Sequence, residues 1–580
     1  MSKLPNFQLP SIDWISATAP ENGNLFSFSE FLATFSLLLI VITVADFRYK
    51  FRLAVAPFNI KKIAFGGSFL IGVLILLVDF WFQNEMPIPK FLNYFNQIKL
   101  VISLLFVSGV FAVVYFALRR PQKFRRSNAV RYTSYVFELI AEANKEHMAV
   151  LAKEMGYTLP EIFSLASKVK RGNEAEALVV LDEPNNQPVK TVSKNIAKQN
   201  KTYGAANDLL LAMGDPRFCK VVASQNPWFA VDYFNCRKKY AANKLPSTPF
   251  AVNIGGAFLR DKESVIFQET EGYSTGLIGY VKPISSSLFL YDADLERYGD
   301  HPLDINYFEL TDIDGEKAQA FVRLALIFAK SYFDKTQGNR HSYVWSRSLS
   351  AIKSLSHSIY KIEKIGDDYW RSPEYESFEA AADYVKEIIK ILDECDVQPI
   401  NRGRPDIAGL CPYDRVAELF LELIFNASSV SGPEFKTWSV QHNSLWSAVF
   451  RSQDGKAIKI IRRKICRILY SEITEMDKWA NFKGGRVLGY CLNILGIKLR
   501  DKKGYGKEFY PLQKVVLDWT VKNYAKLLEE HPNVAQVCLH GKIGYDEKSH
   551  SLTETYKNDI GKYPKIYTLK LDDYKKPKLA

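Results

Sequence analysis

The sequence predicts a membrane protein: an N-terminal α-helical transmembrane region of about three helices, followed by a mainly α, α+β cytoplasmic region. Three observations carry this reading. Three long apolar stretches lie near the N-terminus. The segments flanking them differ sharply in basic residues. The rest of the 580-residue chain, which as a whole is 47% hydrophobic and 24% charged, has the balance of a folded protein with a core.

The stretches are 31–45 (FLATFSLLLIVITVA), 63–78 (IAFGGSFLIGVLILLV) and 100–118 (LVISLLFVSGVFAVVYFAL). A crossing helix needs roughly 20 apolar residues. Allowing acids such as Glu30, Asp46 and Asp79 at the interfaces, the expected spans are about 25–46, 63–82 and 97–118 within a transmembrane anchor of residues 1–126. Gly66, Gly67 and Gly72 permit close helix packing.

Orientation follows from flanking charge. The 48–62 loop holds Arg48, Lys50, Arg52, Lys61 and Lys62 and no acid; the 119–126 flank holds Arg119, Arg120, Lys123, Arg125 and Arg126 and no acid. The 83–90 loop has only Glu85 and Lys90. The expected arrangement is therefore multi-pass in a cell (inner) membrane, with the N-terminus outside and the C-terminal mass cytoplasmic. The net charge of +13 divides into +7 for residues 1–126 (13 basic, 6 acidic) and +6 for the remainder (63 basic, 57 acidic). More than half of the excess sits beside the apolar stretches, so the overall charge is no argument for nucleic acid.

Residues 127–245 read as mostly helical. The run Thr158, Leu159, Pro160 and Glu161 has the spacing of a capping box with an early proline. The polar stretch 182–203, with two prolines, reads as a loop. Residues 246–312 read as a small β-rich segment, from short runs at 250–254, 264–268, 276–281 and 287–291 separated by Gly, Pro, Asp and Ser. A helical domain is expected over 313–530, with amphipathic segments at 316–333, 341–364, 376–396, 415–425, 456–470 and 512–530. The end, 531–580, reads as a short β-type terminus, with runs at 534–540 and 565–571, and a basic tail.

No residue pattern calls for a cofactor or a metal. There is no Walker loop, no dinucleotide fingerprint and no HExxH or GxSxG element. The seven cysteines are dispersed and none forms a CxxC pair, which reads as reduced thiols rather than a disulfide framework or zinc site. The acids Asp292, Asp294, Glu296 and Asp300, then Asp312, Asp314 and Glu316, lack the EF-hand pattern and fit helix N-termini better. Ser346, Ser350, Ser354 and Ser358 recur every four residues opposite an apolar face, as in a packed or solvated helix.

The strongest chemical signal is basic. Residues 451–507 hold 15 Lys and Arg against 5 Asp and Glu, an excess of +10. Within 456–470, Lys456, Lys459, Arg463, Lys464 and Arg467 share one helical face, while Ile458, Ile461, Ile465, Ile468 and Leu469 share the other. Such a face is a solvated surface, an anionic-lipid contact or a phosphate contact to nucleic acid. Arg402 and Arg404, in a Gly- and Pro-bounded loop, form a second candidate for an anion. The polar trio Gln441, His442 and Asn443 between Trp438 and Trp446 marks a candidate pocket.

These features favour a membrane-anchored cytoplasmic sensor, recruitment or effector module, of the kind used in signalling or in defence against foreign nucleic acid. The alternatives are a membrane-tethered phosphoester hydrolase or nuclease, and an oligomeric pore-forming effector. The expected partners are the lipid bilayer, anionic lipid or nucleic acid through the basic segment, and a second copy of the chain or another protein.

Overall fold

A computed structural model describes residues 14–16, 27–44, 46–89, 94–118, 121–167, 189–240, 244–269, 274–275, 278–279, 283–305, 314–399, 411–432, 434–451, 455–501, 508–556 and 564–574. It is mostly helical and divides into two units, residues 1–250 and 251–580.

The first unit begins with strand β1 (Trp14–Ser16) and helices α1 (Phe28–Val44), α2 (Phe47–Ala54) and α3 (Ile60–Gln83). Strand β2 (Pro87–Pro89) and helix α4 (Phe95–Leu118) follow. Asn59 caps α3, its side chain accepting from the Lys62 N–H. Phe31, Ile75, Ile102 and Phe106 form a shared core of α1, α3 and α4, with the Phe31 and Phe106 rings 5.1 Å apart. Among the described residues, one helix is long and apolar enough to cross a membrane, Lys62–Gln83 within α3; a shorter apolar helix spans Asn96–Ala112. The expectation of about three spans is thus not met by length and apolarity. The helix α1 has only 17 residues, and α4 opens with the polar Asn96, Gln97 and Lys99.

Of the three glycines read as packing residues, Gly72 alone has a close neighbour. A Cβ there would lie 2.7 Å from Cε1 of Phe31, whereas Gly66 and Gly67 face open space. Phe31 is buried, so its ring has little room to retreat. Replacing Gly72 with Leu should loosen α1 from α3 by about 1–3 kcal/mol. Faster hydrogen exchange across 28–44 in detergent would show this; unchanged exchange would mean the ring repacks without cost.

Among the described residues, six further helices of the first unit are α5 (Ala129–Glu142), α6 (Lys145–Gly156), α7 (Leu159–Ser167), α8 (Val189–Met213), α9 (Pro216–Gln225) and α10 (Pro227–Lys239). Local chemistry sets several of their starts. Asn144 caps α6, and Asp215 followed by Pro216 opens α9. The helix α7 begins at the Leu159–Pro160 step that the sequence marks. The loop read over 182–203 needs correction, because residues 189–203 lie in α8. The helices close around Phe163, Phe218, Phe229, Tyr233 and Phe250, with Tyr233 and Phe250 4.1 Å apart.

The described residues of 246–312, read as β-rich, are more often helical than extended. They hold α11 (Thr248–Arg260), α12 (Val265–Gln268), the two-residue strands β3 (Ser274–Thr275) and β4 (Ile278–Gly279), then α13 (Pro283–Leu288) and α14 (Ala293–Arg297). The run at 250–254 resembles a strand in sequence because it is short and apolar. Phe250, Ile254 and Phe258 are all buried, which is a helical i, i+4, i+8 stripe. Gly255 permits it, since a Cβ would fall 2.0 Å from the Pro302 carbonyl oxygen. The start of α13 is fixed by Glu269, whose carboxylate accepts from the Ile284 and Ser285 N–H groups at 3.2 and 3.1 Å. That cap is invisible to local pattern.

The second unit continues with α15 (Gly315–Thr336), α16 (Tyr343–Leu355), α17 (Pro373–Glu394) and α18 (Pro412–Ala427). A short helix α19 (Glu434–Trp438) leads into a π-helical stretch, Ser439–Trp446, and α20 (Ser447–Phe450). Then come α21 (Lys456–Glu475), α22 (Phe482–Leu495), α23 (Tyr510–Glu530) and α24 (Pro532–Gln536). Asp314, Ser342, Ser372 and Asn481 cap α15, α16, α17 and α22. The helix α17 packs on α15, α16 and α18, and α18 packs along α21.

The chain ends in an antiparallel sheet of order β5-β6-β7: β5 (Ile543–Asp546), β6 (Ser551–Tyr556) and β7 (Lys565–Lys570). Its register pairs Ile543 with Glu554 and Ser551 with Lys570. The β-type run read at 534–540 is corrected: Pro532 opens α24 there, and the first strand starts only at Ile543.

Candidate functional site

The basic helix α21 presents two faces. Ile458, Ile461, Ile465, Leu469 and Ile473 are buried, whereas Ile468, expected on the same face, is only half buried. Lys456, Lys459, Arg463 and Arg467 are exposed. The expected cations do not all remain available. The Lys464 ammonium pairs with Asp414 at the start of α18. Lys456 reaches Asp396 at 3.5 Å and the Gln398 side chain at 3.1 Å. Arg462, not expected as a site residue, donates to Glu508 at 2.6 Å and to the Val449 carbonyl at 3.0 Å. Lys459, Arg463 and Arg467 have no ion pair among the described residues.

The exposed stripe continues past the cations. Tyr470 follows Arg463 by seven residues and is exposed, as are Trp479 in the turn that leads to α22 and Phe482, the first residue of α22, Trp479 at 77%. Nearby acids are partly engaged. Glu472 pairs with Lys483 at 3.2 Å, and Asp477 accepts from the Trp519 indole at 2.8 Å. The sequence holds the clue to this aromatic end, an Asp-Lys-Trp-Ala-Asn-Phe run closing a basic helix, but only the burial pattern separates it from core aromatics. Arg402 and Arg404 lie outside the described residues.

The polar trio falls in the π-helical stretch, a backbone form common at functional sites. Gln441 is fully buried and holds a network together. Asn493 donates to its side-chain oxygen at 3.0 Å, and the Tyr490 hydroxyl donates to its carbonyl at 3.0 Å. The Lys542 N–H donates to the Asn493 oxygen at 3.2 Å, so the network reaches the approach to β5. His442 stacks on Trp438 with ring centres 4.1 Å apart. The Lys542 ammonium sits 3.9 Å from the Trp438 ring centre and 4.4 Å from that of Tyr556. Burial pushes the pKa values of both Lys542 and His442 down. Lys542, Asn493 and Tyr556 were not legible as members of this cluster, because they lie 50 or more residues from the trio.

A groove of about 910 Å³ runs between α15 and α17. Asp334, Asp383 and Glu387 line it together with Arg323, Lys330 and Lys386. Burial raises the Asp383 pKa. The mixed charges pair locally, Lys330 with Glu394 at 2.9 Å and Lys390 with Glu387 at 2.5 Å.

Several of the remaining signals have structural roles, and Asp312 lies outside the described residues. Asp292 and Asp314 are helix caps, Lys262 holds Asp314 and Glu316 at 3.0 and 2.6 Å, and Glu296 accepts from the Ser342 hydroxyl at 2.6 Å. Ser346, Ser350 and Ser354 donate to carbonyls one turn back in α16. Burial raises the thiols of Cys395 and Cys466 to about 12, which makes them poor nucleophiles. Among the described residues, no three His, Cys, Asp or Glu side chains converge as metal ligands. No protein-family model, curated protein or solved structure matches the chain.

Proposed function

We propose that the chain is a membrane-anchored module that holds its soluble part at the cytoplasmic face, where it senses or recruits an anionic partner. The observation that carries the reading is α3. Its Phe69, Leu70 and Leu77 are 73%, 62% and 53% exposed, and α4 adds Leu104, Leu105 and Phe111 at 64%, 62% and 72%. Six large apolar side chains left in water would cost on the order of 10 kcal/mol, which a bilayer removes.

The finer reading is a three-helix anchor of α1, α3 and α4 with the N-terminus outside. Contacts at opposite ends of this bundle support it. At one end β1 pairs with β2, and Lys99 of α4 meets Asp79 of α3 at 2.5 Å. That end joins the N-terminal segment to the 83–90 loop, which holds one acid and one base. At the other end the basic α2 and its following turn are tied to the helices after α4. Asn128 donates to the Val55 carbonyl at 2.8 Å, Arg131 to the Ala56 carbonyl at 2.9 Å, and Arg52 meets Glu154 at 2.7 Å. The basic residues on this second end fit the cytoplasmic side.

The test is a pair of reporter fusions with alkaline extraction of membranes. A reporter after Ala580 should behave as cytoplasmic, one inserted within 83–90 as external, and the chain should stay with the membrane pellet. Release by alkali would overturn the anchor, and external activity of the C-terminal fusion would overturn the orientation.

A further inference from the structure

We propose that the α21 ridge and the aromatic turn beyond it form a docking surface for an anionic phospholipid bilayer. Lys459, Arg463 and Arg467 supply the charge, and Trp479 and Phe482 insert at the headgroup level. The inference rests on the membrane-anchored reading and names the partner of the exposed cations.

Three observations lead to a bilayer. First, the charge is uncompensated among the described residues. Residues 456–483 hold 8 Lys and Arg against 3 Asp and Glu, a net of +5. The internal acids take Lys456, Arg462, Lys464 and Lys483 and leave the three ridge cations without an ion pair among the described residues. Those three occupy two turns of helix, about 12 Å, and fall on one line with Tyr470. Second, the exposed aromatics gather at one end. Trp479, Phe482 and Tyr470 are 77%, 54% and 42% exposed. An indole and a phenyl ring in water beside cations match the composition of interfacial membrane anchors. A single-strand groove would place its aromatics between the cations, where successive bases stack. Third, a chain anchored through α3 faces headgroups at high effective concentration, so a modest surface affinity is enough.

The test uses the full chain in lipid nanodiscs, one set of neutral phosphatidylcholine and one containing phosphatidylserine. Hydroxyl-radical footprinting with mass spectrometry reads each tryptophan separately. In the anionic discs, oxidation of Trp479 should fall to the level of a core tryptophan such as Trp345, which is 3% exposed. In neutral discs it should stay high. The variant K459E/R463E/R467E should weaken docking by roughly 100-fold or more and return Trp479 oxidation to the neutral-disc level. Its thermal unfolding should not change, because all three positions are exposed.

Equal oxidation in both discs, with the chain retained in them, would overturn the docking surface and leave the anchor standing. Protection of Trp479 by single-stranded DNA at low salt in neutral discs, with none from anionic lipid, would overturn it in favour of nucleic acid. A chain that fails to enter either disc would overturn the anchor instead. Docking would then be decided by sedimentation with vesicles: binding to phosphatidylserine vesicles alone supports it, and no binding overturns it.

Discussion

Replacing Glu154 with Gln is expected to destabilise the N-terminal unit by about 3–5 kcal/mol. Glu154, on α6, is 1% exposed and receives two arginines from α2. Its carboxylate accepts from the Arg48 Nε at 2.5 Å, and from the Arg52 Nε and Nη2 at 2.8 and 2.7 Å. The hydrogen bond to Glu154 is the main reason the Arg48 pKa is raised. Arg52 is itself 4% exposed, so the amide would take the Glu154 charge away from a buried guanidinium. In a unit of this size the loss corresponds to a fall of about 10 °C in the unfolding midpoint, measurable in detergent. Replacing both partners with apolar residues, as in R52M/E154L, should recover most of the loss, since a buried pair owes little net stability to its charge. An E154Q variant that melts with the wild type would show that water reaches this site and screens it. Because α2 sits between α1 and α3, the same contact ties the apolar helices to the helices that follow, and its loss should also speed proteolysis within 46–59.

The second large effect is a loss of stability in acid. His540 is buried, and burial pushes its pKa down to about 4, with the Val537 carbonyl opposing and Arg486 adding to the shift. Its Nε2 has no hydrogen-bond partner among the described residues. The folded chain thus holds His540 neutral, whereas in the unfolded chain the ring titrates near 6.5. Between these two values the unfolded state binds more protons, so stability falls as pH falls through the window and levels off below about 4. The contribution lost by pH 5 is about 2 kcal/mol, and by pH 4 about 3 kcal/mol. His357 and His442 are also shifted down by burial and act in the same direction. Guanidinium unfolding at pH 7.5 and pH 5.0 should show the difference, and a His540→Asn variant should lose about 2 kcal/mol less between the two. Equal losses would assign the acid sensitivity to other groups.

How much of the site the sequence carries can be followed along α21. The buried Ile458, Ile461, Ile465 and Leu469 and the exposed Lys459, Arg463 and Arg467 are written in the 3.6-residue period. The half-buried Ile468 is not, because the buried line runs through Ile461, Ile465, Leu469 and Ile473 instead. Lys464 and Lys456 look like ridge residues in sequence and are drawn to Asp414 and Asp396, 50 and 60 residues away. The region 246–312 misled for a related reason. Short apolar runs have no period of their own, and a cap from Glu269 or a close approach at Gly255 decides between strand and helix.

The sequence by itself determined what depends on neighbours along the chain: an apolar helix in the first 120 residues, the basic flanks, the two-faced α21 and the acid Asp314 at a helix start. Tertiary structure alone decided which acid meets which cation, which aromatics stay in water and that the distant Glu269 carboxylate caps α13. Helical periodicity is a local property that each segment carries in its own residues. A partner is a contact between residues far apart in the chain, and its free energy exists only once both have been brought out of water to the same place.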